Sequence, residues 1–130
     1  MHTFAIIAFL LITAPMLGQD TEIAAISDAL SQGNASRLSA FFDRSVDLMI
    51  EGEGEVLSRD QARMRLDRFF ANHEITSFAV VHKGAAKGNA SNYCIGDLKT
   101  SKKTYRVYLY LKPTPSSEGA FRIVELRFDS

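Results

Sequence analysis

The sequence predicts a single α+β domain, with helices gathered in its first half and a run of adjacent strands in its second that pair as an antiparallel sheet. Two observations carry this. Apolar residues recur at helical spacing in three stretches up to Phe70, with one strand pattern among them, and from Thr76 onward they alternate with a period of two. The 130 residues, 46% of them apolar, are also enough for one modest core, and no repeat, low-complexity tract or linker divides them.

Asp20 or Thr21 can cap a first helix whose apolar positions are Ile23, Ile26 and Leu30, with Gly33 as its stop. Asn34 caps a second, "NASRLSAFFD", with Leu38, Phe41 and Phe42 on one stripe. In "SVDLMI" Val46, Leu48 and Ile50 alternate with polar or outward residues, which is a strand pattern. The following "EGEGE" reads as a flexible turn whose spacing matches no calcium loop. Ser58-x-x-Gln61 is a capping box, opening a helix with Ala62, Leu66, Phe69 and Phe70 inside and Arg59, Arg63, Arg65 and Arg68 mostly outside. Four strands follow: "TSFAVVHKG", "NYCIGDLKT", "TYRVYLYLK" and "AFRIVELRF". Gly96 interrupts the second of these and marks a bulge or bend.

Fifteen basic and fifteen acidic side chains cancel, and Lys99, Lys102 and Lys103 read as a solvated turn rather than the basic stripe of a nucleic-acid binder. Residues 1–18 contain no Asp, Glu, Lys or Arg, and the apolar run Phe4–Thr13 has the length of a secretory leader, too short to span a bilayer comfortably. The expectation is a signal peptide over 1–18, a domain over 19–130 and export to the periplasm or the extracellular space, with no membrane association once the leader is removed. Cys94, the only cysteine, excludes an internal disulfide and reads as a small buried hydrophobe. His73 and His82 have neither ligand spacing nor a cysteine partner, so no metal site or cofactor is expected.

The order of elements resembles the cone-shaped fold of the nuclear-transport-factor-two-like (cystatin-like) superfamily, in which N-terminal helices pack on a curved antiparallel sheet. More closely, the chain resembles a family of short exported bacterial proteins known as domain of unknown function 4783. The resemblance runs through Gly33-Asn34, Val46-Asp47-Leu48, Ser58-x-x-Gln61-Ala62, Phe69-Phe70, Phe78 and His82-x-Gly84. It continues in Tyr93-x-Ile95-Gly96-x-Leu98-x-Thr100, Tyr105-Arg106-Val107-Tyr108 and Leu126-Arg127-Phe128. It implies a fold and an export address, and brings no activity or functional residues. The superfamily holds isomerases, dehydratases and hydrolases alongside proteins that only bind or dimerise, so fold alone does not decide function.

Isomerases of this fold pair a carboxylate base with tyrosine and a neutral acid. The nearest set here is Asp47, Asp97 and Arg106, but Asp97 and Arg106 fall on neighbouring strands, where a cross-strand ion pair is the ordinary expectation. No catalytic residue is therefore assigned. In "TYRVYLYLK", Tyr105, Val107, Leu109 and Leu111 share one face and Arg106, Tyr108 and Tyr110 the other, while Ile123, Glu125 and Arg127 alternate on the last strand. One face packs on the helices. The other carries large rings beside arginine, a pairing favoured at recognition surfaces. The leading expectation is a non-catalytic module that binds a small molecule or peptide through His82, Tyr93, Arg106, Tyr108 and Arg127. The alternatives are a structural homodimer closed through that face and a small isomerase, dehydratase or hydrolase.

Overall fold

The computed structural model describes residues 18–85, 91–113 and 120–130. The expected leader, residues 1–18, lies outside them except for Gly18, which begins helix α1 (Gly18–Ser31). Asp20 and Thr21 thus sit inside the helix rather than at its cap. Ile23, Ile26, Ala29 and Leu30 form its buried stripe. Gly33, at φ +60°, ends it as the spacing predicted. The amides of Gly33 and Asn34 donate to Leu30 O and Ala29 O, the paired bonds of a Schellman stop.

Helix α2 (Ala35–Ser39) starts where expected, with the Asn34 side chain accepting from the Arg37 amide at 3.0 Å. It ends sooner than its apolar stripe suggested. Phe41 O accepts from Ile123 N at 2.7 Å, which draws the chain into the sheet, and the fully buried Phe42 opens strand β1 (Phe42–Ile50). A strand partner outweighs one more helical turn.

The "EGEGE" stretch is also more ordered than expected. Ile50 pairs with Glu53, leaving only Glu51 and Gly52 as a two-residue turn, both at positive φ (51° and 83°), as a type I′ hairpin requires. Glu53 and Gly54 belong to strand β2 (Glu53–Ser58). Helix α3 (Arg59–Asn72) opens on the predicted capping box: Ser58 Oγ accepts from Gln61 N and Gln61 Oε1 accepts from Ser58 N. Ala62, Leu66 and Phe69 are buried, and Phe70 is half-buried. Arg65 does not face outward as expected. Its guanidinium turns in and donates to the carbonyls of Leu48 and Glu53.

Strands β3 (Ile75–Ala85), β4 (Asn92–Thr100), β5 (Thr104–Pro113) and β6 (Phe121–Asp129) complete a six-stranded sheet in the order β2-β1-β6-β5-β4-β3. Every pair is antiparallel except β1–β6, which is parallel, so the sheet is mixed rather than wholly antiparallel. It is curved. The register slips at Val81 on β3 and at Val124 on β6, and bulges of this kind bend a strand and increase its twist. The bulge expected at Gly96 therefore belongs to the opposing strand. Gly96 instead makes room for Phe78, whose ring would lie 2.3 Å from an added Cβ. The three helices cover one face, burying Leu48, Leu98, Tyr105, Val107, Leu126 and Phe128 among others.

Candidate functional site on the outer face of the sheet

Strand alternation sends two sets of rings in opposite directions. Tyr105 points into the core and is fully buried. Tyr93, Tyr108 and Tyr110 point outward and are only half-buried. The register sets Tyr93 opposite Tyr110, Ile95 opposite Tyr108, Tyr108 opposite Arg127, and Tyr110 opposite Glu125. Together these side chains line a groove of about 350 Å³ on the uncovered face. The Arg127 guanidinium lies over the Tyr108 ring, 4.5 Å from its centroid, a cation–π contact. Its Nε is 3.0 Å from Asp129 Oδ2, near enough for an ion pair but without the alignment of a hydrogen bond.

Beside the groove, on the edge strand β3, His82 Nε2 and Tyr93 Oη lie 2.7 Å apart. The tyrosine reaches the histidine because Gly84 lets the ring approach: a Cβ there would sit 2.8 Å from Tyr93 Oη. Arg106 donates to Asp97 Oδ1 at 2.7 Å, the cross-strand pair read from the sequence, and stays outside the groove. Of the five expected residues, the fold thus brings Tyr93, Tyr108 and Arg127 to one hollow. It places His82 against the first of them and leaves Arg106 apart.

Glu125 was not singled out, although it lines the groove. Simple alternation would put Ile123 beside it. The Val124 bulge turns Ile123 inward, opposite Leu111, while Glu125 and Arg127 stay out. No residue pattern announces that slip.

A second polar cluster lies at the far end of the core. His73 Nδ1 is 2.9 Å from Phe69 O, and since a carbonyl only accepts, the proton is on Nδ1. Nε2 is then left to accept from the Tyr105 hydroxyl, 3.0 Å away. The imidazole stacks on Phe69 with ring centroids 4.4 Å apart. Burial pushes the Tyr105 phenol above its usual range, and the Glu51 carboxylate pushes it further. Glu51 itself is held low, chiefly by its bond to Lys103. With the phenol kept protonated and both imidazole nitrogens occupied, the cluster ties α3 to the sheet rather than offering a base.

Among the described residues no group of three or more His, Cys, Asp or Glu is placed to hold a metal ion. Cys94 is buried, and burial raises its thiol pKa, which suits a packing role.

The helices on one face of a curved sheet define a nuclear-transport-factor-two-like cone domain. Within that class, the family model for the domain of unknown function DUF4783 matches residues 23–129, and the chain belongs to that family. A DUF4783 family protein from Bacteroides uniformis is 26% identical, with a TM-score of 0.75 over 82% of this chain and 94% of that one. Another from Bacteroides fragilis is 24% identical, with a TM-score of 0.74 over 82% and 95%. An NTF-2-like protein of unknown function from Silicibacter pomeroyi shares 18% identity and a TM-score of 0.57 over 85% and 96%, a likeness of fold alone. No curated protein matches the chain.

Proposed function

We propose that this domain is a non-catalytic binding module whose outer sheet face receives a small molecule with a flat apolar body and an anionic group. The observation that carries the reading is the 350 Å³ groove with three half-buried tyrosines and an arginine along it. Rings offer stacking area at low cost in conformational entropy, and a guanidinium held on a ring is oriented to meet an anion. An enzyme has less support. The carboxylate at the groove, Glu125, is exposed to water rather than buried against a tyrosine hydroxyl, and Asp97 is engaged with Arg106. The reading includes export, for which the apolar run Phe4–Thr13 is the support.

Anilinonaphthalene sulfonate, a flat apolar body carrying one anion, is a direct probe. The expected result is saturable one-to-one fluorescence enhancement, with Tyr108→Ala and Arg127→Gln each weakening the dye roughly tenfold. Light scattering on the same samples should report a monomer. Absence of saturable binding, or affinity unchanged in both variants, rejects the proposal. A dimer whose formation excludes the dye would replace it with self-association through this face.

A further inference from the structure

The trough between α3 and β2 carries a charge pattern that the groove on the other face does not explain. β2 is an edge strand, and of its six residues only Leu57 is even half-buried, so the hairpin stands off the helix. Two adjoining hollows of about 400 and 290 Å³ occupy the gap, and Arg65 and Arg68 line both. The strand wall presents Glu53 and Glu55. The two walls are oppositely charged, yet their charges do not close on each other. The nearest approach of opposite charges is Arg65 Nη1 to Glu55 Oε1 at 4.0 Å, with Glu55 largely exposed.

Arg65 is the more informative of the two arginines. Its side chain is only 18% exposed and donates to Leu48 O at 3.3 Å and Glu53 O at 2.7 Å. Carbonyls hold the guanidinium in place without neutralising it. Among the described residues Arg68 and Glu53 have no ion-pair partner, whereas Glu51, at the end of the trough, is paired with Lys103. What remains is positive charge on the helix wall facing negative charge on the strand wall across an open gap.

We propose that this trough is a second binding site and that it takes a small zwitterion, a molecule of amino-acid or dipeptide size carrying one ammonium and one carboxylate. A lone anion drawn to Arg68 meets the repulsion of Glu53 and Glu55, and a lone cation meets the reverse. A dipolar molecule laid across the trough satisfies both walls.

Glycylglycine titrated into the protein, followed by amide chemical shifts, tests this. The expected result is saturable shifts confined to residues 53–57 and 65–73, and none with the uncharged N-acetylglycinamide. Arg68→Gln and Glu53→Gln alter exposed side chains and leave the fold intact, and each is expected to weaken glycylglycine roughly tenfold. The proposal is overturned by the absence of saturable shifts, or by equal shifts with the neutral analogue or with acetate alone. Unchanged affinity in both variants overturns it too. None of these results bears on the outer groove, which the dye reads separately.

Discussion

Gly96→Val destabilises the domain by about 3 kcal/mol, the upper part of the range for overpacking a filled site. A Cβ at this position would lie 2.3 Å from Phe78 Cζ, 2.6 Å from Phe78 Cε1 and 2.8 Å from Ala79 O. The ring is the end of a side chain and can swing aside. The carbonyl is backbone of the neighbouring strand, and it moves only if β3 shifts against β4. Urea denaturation of the variant and of Gly96→Val combined with Phe78→Ala separates the two contacts. The pair should be coupled favourably, since the ring conflict is gone in the double variant, but Ala79 O keeps it well below the stability of Phe78→Ala alone. A Gly96→Val protein within 0.5 kcal/mol of the parent, the scatter of ordinary surface substitutions, would show that the strands are not held this closely. Because Ile95 adjoins this position and Tyr93 lies on the same strand, both lining the groove, the same variant is also expected to weaken dye binding there.

Tyr105→Ala is expected to cost about 3–5 kcal/mol, as loss of a large buried aromatic does. The ring meets Phe69 edge-on at 5.2 Å and His73 at 5.5 Å, joining the sheet to the last turn of α3. Tyr105→Phe removes only the hydroxyl. It leaves His73 Nε2 without its donor and should cost about 1 kcal/mol, the net worth of one hydrogen bond. Thermal and urea unfolding of both variants give the comparison. If the alanine variant loses no more than the phenylalanine variant, Tyr105 is not the core ring described above.

Most of this architecture is written in local pattern. β4 spans Asn92–Thr100, the expected stretch, because its alternation is bounded on both sides by turn residues. The same alternation separates Tyr105 from Tyr108 and Tyr110, and so distinguishes a core tyrosine from two surface ones. Capping chemistry places the start of α3 to the residue.

What local pattern does not carry is pairing at a distance. The parallel contact of β1 with β6 joins residues about eighty positions apart, and that contact decides that Phe42 begins a strand instead of ending a helix. The turn in "EGEGE" was legible, but its tight two-residue form and the strand after it were not, because Glu51 occupies a positive-φ position where Asn or Asp is the usual signal. Arg65 looked like solvated charge because its two acceptors are backbone carbonyls, which no side-chain pattern reveals. The bond from His82 to Tyr93 depends on Gly84 leaving space, and the inward turn of Ile123 depends on one bulge. The groove was therefore legible in its residue types and its face. Its membership was not, because that is fixed by register.

The most direct check on the outer-face reading is the ring-proton spectrum of the four tyrosines as anilinonaphthalene sulfonate is added. If that face is the binding surface, signals of Tyr93, Tyr108 and Tyr110 move together with the dye while those of Tyr105, on the other side of the sheet, stay fixed. Movement of Tyr105 alone, or of no tyrosine while the dye binds, would contradict it.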